Sequence, residues 1–260
     1  MWTPAGPATL RIDHLGDHLA VDAWGDGAEW AADRTPTMLG IGRHDVDFDP
    51  STHPAVRDAY RSRPGLRHGA GLSLADAVAP VVLAQRVTSR EARTSWYQLV
   101  RRYGEESPGT CPGVRLPPHP RTLVRLSDAQ WHVLGVERQR ADTVRRTLGV
   151  LPALERARST GSDRFQEVVR SVPGCGSWTA TGLAGQVLGD PDAVLLGDLH
   201  LPHAVCHALA GVARGSDARM LELLEPWQGR RAVVVRLLRS CGAVAPRRGP
   251  RYSPLPIARM

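Results

Sequence analysis

Polar and apolar residues alternate along the first 25 positions. Ala8-Thr9-Leu10-Arg11-Ile12 and His18-Leu19-Ala20-Val21-Asp22-Ala23-Trp24 repeat with a period of two. That is the period of a strand with one covered face. Leu15-Gly16-Asp17 between them predicts a tight turn, and so a hairpin. Residues 27–40 predict a helix interrupted by Pro36. Residues 53–61 predict a short helix with Pro54 at its start. Residues 1–66 are therefore expected to form a small α+β unit.

After Gly71 the period lengthens. Leu74, Ala77, Val78, Val81 and Val82 share one helical face, despite Pro80. Ala92, Trp96, Leu99 and Val100 mark a second helix, ending near Gly104. The Pro/Gly-rich stretch 105–120 predicts a loop. A helix capped by Ser127 or Asp128 should run to Val133 and stop at Gly135. Residues 137–158 predict a long arginine-studded helix, with Gly149 and Pro152 as the place where it could break. Helices are expected over 164–171 and 177–188, and near 200–211, 216–224 and 227–240. The tail, 246–260, is expected to be irregular. The fold class is thus mostly α: an all-helical body over 67–260 attached to the α+β unit over 1–66.

Composition narrows the class of protein without naming it. The chain has 260 residues, 23% charged and 42% hydrophobic, which excludes disordered and fibrous proteins. No apolar run approaches the roughly 20 residues of a membrane helix. The opening residues do not read as a signal peptide, so a cytoplasmic protein without membrane contact is expected. Cys111, Cys175, Cys206 and Cys241 lack CxxC spacing and signal neither a disulfide scaffold nor a zinc or iron–sulfur site.

Charge changes the picture. There is no lysine, so all 33 basic side chains are arginine and no lysine Schiff base can form. Residues 1–60 carry ten carboxylates and four arginines; residues 61–260 carry sixteen and twenty-nine. Arginine suits phosphate, so a polyanion partner fits the second part. On charge alone, a soluble basic protein with no nucleic-acid role fits equally well.

The most informative stretch is Val172-Pro173-Gly174-Cys175-Gly176-Ser177-Trp178-Thr179-Ala180, between two expected helices. Pro173 prevents simple continuation of the first. Gly174 and Gly176 permit positive φ and a close approach of the backbone to whatever lies outside. The next helix starts at once, so its unbonded amides add an anion site. Phosphate held this way carries no sequence information, which suits a general grip on a DNA backbone. As a bare PGxG, the segment reads more readily as a plain turn between helices.

The longer string is more specific. VPGCGSWTA resembles the helix–hairpin–helix of the DNA glycosylase superfamily. Gly189-Asp190-Pro191-Asp192-Ala193-Val194-Leu195-Leu196-Gly197-Asp198 resembles that superfamily's aspartate loop, at the expected distance. The resemblance covers most of residues 70–240, and the N-terminal unit is similar to a shortened form of the superfamily's α+β domain. It implies that Asp198 is the catalytic carboxylate, opposing positive charge on the sugar and orienting water. Asp198 also reads as a helix cap, and Asp190 and Asp192 as loop structure.

Bifunctional members carry a lysine nucleophile where Trp178 stands. The likeness is therefore to monofunctional members, nearest the bacterial 3-methyladenine DNA glycosylase II family. Trp178 would stack on an extruded base, worth about 1–3 kcal/mol, and attract a cationic alkylated purine; it also reads as a core tryptophan under the hairpin. Its pocket is less aromatic than the family's, since Gly182 and Arg236 stand at aromatic positions.

Leu83-Ala84-Gln85-Arg86-Val87-Thr88 resembles the family's minor-groove loop, with Arg86 at the wedge position and Gln85 contacting the gap; both also read as solvent-facing residues at a helix end. Arg138 and Arg140 are candidate phosphate contacts. His200, His203 and His207 share a helical face, but no metal is assigned to them. His200 and His203 are expected to edge the active site, His200 at the base pocket. A monovalent cation at the hairpin carbonyls is implied by the resemblance alone.

The resemblance implies a monomeric enzyme without an organic cofactor that removes 3-methyladenine and 7-methylguanine from damaged double-stranded DNA. The alternatives are a non-catalytic DNA-binding module and a glycosylase for another damaged base.

Overall fold

The computed structural model describes residues 1–42, 48–71, 73–246 and 257. Most of the tail, 247–260, lies outside the described residues. Among them are thirteen helices and two two-stranded sheets.

The N-terminal alternation forms a hairpin. β1 (Trp2–Thr3) pairs with β2 (Gly6–Pro7), two short strands that the alternation does not mark. β3 (Thr9–Leu15) pairs antiparallel with β4 (His18–Trp24), with Leu15 opposite His18. Only Gly16 and Asp17 close the turn, and Gly16 takes φ +66°, as a two-residue hairpin turn requires. α1 (Ala28–Met38) packs on this hairpin and runs through Pro36 for two further residues. α2 (Pro54–Ser62) begins where His53 Nδ1 accepts the Ala55 amide at 3.1 Å, with Pro54 in the first turn.

The remaining helices divide between two apolar cores. The first holds α3 (Leu74–Leu83), α4 (Ser89–Tyr103), α5 (Pro120–Arg125), α6 (Asp128–Val133), α7 (Arg138–Gly149), α8 (Leu151–Arg158), α9 (Ser162–Arg170) and α10 (Ser177–Val187). α3 is its axis: Leu74, Ala77, Val78, Ala79, Val81, Val82 and Leu83 are all buried. Each large apolar side chain so buried contributes about 1.5–3 kcal/mol, enough to hold a helix that contains Pro80.

Capping boxes start two of these helices. Thr88 pairs with Glu91 at α4, and Ser127 with Gln130 at α6. Gly135, at φ +75°, follows α6 as expected. The stretch 137–158 breaks at Val150, between Gly149 and Pro152, into α7 and α8. α5 falls at the edge of the expected loop; His119 caps it and Pro120 opens it.

The second core gathers α11 (Leu201–Ala210), α12 (Asp217–Leu224) and α13 (Arg231–Ser240) around Val205, Met220, Leu224 and Leu237. Trp227, in a short 3₁₀ turn before α13, is buried there. Val56 and Ala59 of α2 join the same core, so this helix packs with the C-terminal helices. No helix among the described residues is long and apolar enough to cross a membrane.

Candidate functional site

The hairpin between α9 and α10 is built as its residues require. Val172 and Cys175 point inward, while Pro173, Gly174, Gly176 and Ser177 face out. The Cys175 amide donates to the Val172 carbonyl at 2.9 Å, closing the turn. Gly174 takes φ +97°, and a Cβ there would overlap the Thr143 side chain. Gly176 differs from expectation. Its φ is −89°, ordinary extended backbone, and a Cβ there would meet nothing within 4 Å. Its value is the open space in front of it.

The first backbone bond of α10 runs from the Ala180 amide to the Gly176 carbonyl at 3.0 Å. The amides of Ser177, Trp178 and Thr179 precede it, and no side chain caps them. These donors and the α10 dipole face the same open space. Burial pushes the Cys175 thiol above its ordinary range, although a hydrogen bond with Thr147 opposes this, so Cys175 is a structural side chain.

The Thr179 side chain turns inward, leaving only its amide toward the open space. It is 2% exposed, and its hydroxyl accepts from Gln85 Nε2 at 2.7 Å. The same Gln85 nitrogen donates to the Gly174 carbonyl at 3.0 Å. Gln85 therefore reaches sideways into the hairpin rather than outward. Arg86 is exposed and takes φ +55°. It is the one non-glycine residue with positive φ among the described residues, a conformation that costs about 1–2 kcal/mol.

Arg140, a candidate phosphate contact by sequence, is 3% exposed. It donates to the carbonyls of Leu83 at 2.9 Å and Gly135 at 3.3 Å and pairs with Glu137, so it braces the end of α3. Arg138 stays exposed, near Asp128 and Asp142.

The loop between α10 and α11 is held at both ends. Asp190 accepts from Ser162 and from the Asp192 amide. Asp192 accepts from the Arg231 side chain and from the Arg231 amide, tying the loop to the start of α13. Both carboxylates are loop structure. Burial raises the Asp192 carboxyl, but the bonds from Arg231 outweigh it and hold the group below the ordinary range.

Gly197, at φ +79°, donates its amide to Asp217 at 2.7 Å. Asp198 follows. Its Oδ1 accepts the amides of His200 and Leu201, both at 2.8 Å, at the head of α11. No side chain or amide among the described residues bonds Oδ2. The side chain is partly exposed, with Leu199 (75% exposed) and His200 beside it at the surface.

Trp178 packs partly buried against the first core, whereas Asp198 opens a helix of the second. The two cores meet where Gly182 and Gly185 of α10 face the loop. A Cβ at Gly182 would lie 3.4 Å from Val81 and 3.6 Å from Leu195. A large aromatic there would have to displace both. Trp178 stands one turn before this contact, and Asp198 three residues beyond Leu195. Arg236 is exposed on α13.

His203 Nδ1 accepts the Gly215 amide at 3.0 Å, so it serves the fold. A separate hollow of about 400 Å³, lined by Phe48, His68, Ser162, Asp190, Arg230 and Val233 among others, includes neither Trp178 nor Asp198. Sequence reasoning missed the roles of Thr143 and Asp217. Nothing local marks either, since each acts on a residue distant in the chain.

No family model matches the chain. It is 28% identical over 175 residues to the "probable bifunctional transcriptional activator/DNA repair enzyme AlkA" of Mycobacterium tuberculosis, over 60% of this chain and 33% of that protein. The chain therefore spans about one third of the length of the curated relatives it matches.

Among solved structures, it is similar to a 3-methyladenine DNA glycosylase from Archaeoglobus fulgidus (TM-score 0.75, 18% identity, 94% of this chain and 87% of that one). It is also similar to the 8-oxoguanine glycosylase/lyase of Clostridium acetobutylicum bound to double-stranded DNA (TM-score 0.66, 12% identity, 92% and 85%). A third likeness is to a DNA-3-methyladenine glycosidase from Bacillus halodurans (TM-score 0.51, 17% identity, 75% and 92%).

Proposed function

We propose that this chain, which has the helix–hairpin–helix glycosylase fold, is a monofunctional DNA glycosylase that hydrolyses the N-glycosidic bond of alkylated purines. The observation that carries this reading is Asp198. Two amides fix one carboxylate oxygen at the head of α11, and Oδ2 has no partner among the described residues.

In this reading the outward amides of α10 and the open face of Gly176 grip a phosphate. Arg86 fills the space left by the extruded nucleotide. Trp178 supports the base, and its π face favours a cationic alkylated purine. Such a base leaves as a neutral molecule, taking the electrons of the C1′–N bond. The Asp198 carboxylate opposes the positive charge on the sugar. Water adds to C1′, and its proton passes to Oδ2.

With tryptophan in place of a nucleophilic lysine, the product is an abasic site with an unbroken strand. The enzyme works as a cytoplasmic monomer on damaged double-stranded DNA, and this chemistry requires no organic cofactor. A monovalent cation at the hairpin would have to share the Val172 and Gly174 carbonyls with the Cys175 amide and Gln85; no step is routed through it.

The test is chromatography of bases released from alkylated duplex DNA by wild type and Asp198→Asn, with duplex binding measured alongside. Release of 3-methyladenine or 7-methylguanine by wild type alone, with binding retained by both, is the expected result. No release by either protein, with binding intact, would overturn the reading in favour of a binding module.

A further inference from the structure

The turn between α3 and α4 is locked from three sides. Its backbone is pinned by the Gln85 amide on the Val82 carbonyl at 3.1 Å. Arg140 holds the Leu83 carbonyl from behind at 2.9 Å. On the far side Gln85 Nε2 bridges the Gly174 carbonyl and the Thr179 hydroxyl. The orientation of that amide is fixed by chemistry, because a carbonyl only accepts and so must face the nitrogen. The next residue is Arg86, with positive φ. After it, the Thr88–Glu91 capping box starts α4. Arg86 is thus the one side chain of Gln85-Arg86 that faces outward.

We propose that Gln85 is a positioning residue: it fixes Arg86 to the hairpin, so that gripping a phosphate and filling the gap are actions of one rigid unit. This rests on the reading of Arg86 as the gap-filling residue. Gly174 and Thr179 flank the outward amides of α10, so the strut joins the wedge to the element that would hold phosphate. A duplex seated on the hairpin is then already in register for Arg86. Without the strut, the hairpin still presents its amides, but Arg86 has no fixed place relative to them. Gln85 therefore contributes little to holding intact duplex and much to distinguishing DNA with a vacancy.

The experiment measures affinity for one duplex in two forms, undamaged and carrying a tetrahydrofuran abasic site. The proteins are wild type, Arg86→Ala, Gln85→Met (neutral, of similar length, without donors) and the double variant. Thr179→Val removes the acceptor from the opposite side. Wild type should prefer the abasic duplex. Arg86→Ala and Gln85→Met should each lower that preference by about five- to tenfold, and the double variant no further, because both act through one contact. Affinity of Gln85→Met for the undamaged duplex should change less than about twofold. Thr179→Val should move the preference the same way by a smaller factor, which covers the case of a poorly folded Gln85 variant.

A Gln85→Met protein with wild-type preference, or losses that add in the double variant, would overturn the strut while leaving Arg86 in its role. A wild type that does not prefer the abasic duplex, or an Arg86→Ala that keeps the preference, would overturn the underlying reading and the strut with it.

Discussion

Asp217 accepts the amide of Gly197 at 2.7 Å, so the residue before Asp198 is fixed by the first turn of a helix twenty positions downstream. The other Asp217 oxygen is buried without a partner among the described residues, where a bound water would satisfy it. Removing this carboxylate should loosen the aim of Asp198 without touching the phosphate grip. Asp217→Ala should slow base release about tenfold with little change in duplex affinity, whereas Asp217→Asn, which keeps an acceptor, should retain most activity. Single-turnover rates of the three proteins decide it, and a wild-type rate for the alanine variant would count against this role.

The two hairpin glycines should respond differently to alanine. Gly174→Ala forces a side chain into φ +97° and onto Thr143 and should cost about 2–3 kcal/mol of stability. Gly176→Ala has an ordinary φ and open space and should stay within about 0.5 kcal/mol of wild type. Its methyl would stand where a phosphate approaches, so duplex affinity should fall several-fold. Melting curves beside binding isotherms separate the two effects, and normal affinity in Gly176→Ala would remove Gly176 from the interface.

Arg86 shows a tension between stability and use. In a left-handed conformation, glycine avoids the side-chain penalty that arginine and alanine both carry. Arg86→Gly should be more stable than Arg86→Ala by about 0.5–1 kcal/mol, after allowing for the looser unfolded chain. Both should lose preference for an abasic duplex. Equal stability of the two variants in urea titrations would mean that the turn relaxes when arginine is gone.

Two carboxyls give stability opposite pH dependences. Burial pushes Asp76 up to about 6, although the Trp2 amide donates to it. Its ionised form is disfavoured in the fold, so its cost is present above pH 6 and disappears as pH falls from 6 toward the unfolded value near 4. Asp192 is held low, so its contribution is present above pH 4 and lost as pH falls further. As far as these two groups decide it, stability should peak in mildly acid solution. Asp76→Asn should raise Tm more at pH 7.5 than at pH 4.5, and Asp192→Asn should lower it more at pH 7 than at pH 3. A pH-independent difference for Asp76→Asn would show that its carboxyl is not destabilised by burial.

Periodicity and punctuation made much of this molecule legible in the sequence. The β3–β4 hairpin follows from alternation around Gly16, and α6 from a cap at Ser127 or Asp128 and the stop at Gly135. α5 lacks that signal because His119 and Pro120 both read as loop residues. At the site, residue types were legible but directions were not. Gln85, Arg140 and Thr179 are polar residues next to a candidate interface, and each turns inward to bond a distant backbone or side chain. Sequence spacing carries no record of that choice, because the partners lie 57 to 94 positions away. Gly176 shows the opposite limit: neither its dihedral angles nor its neighbours require glycine, and open space lies in front of it.

Under the proposed function, the division of the helices between two cores would allow substrate size to be adjusted separately from the hairpin. Trp178 packs on one core and Asp198 opens a helix of the other, and Gly182 faces Leu195 between them. Repacking Met220 or Val205 would shift the carboxylate relative to the tryptophan while leaving the hairpin and the Arg86 turn in place. Selection for a bulkier or smaller lesion could therefore act behind the reacting groups, on residues that never meet DNA.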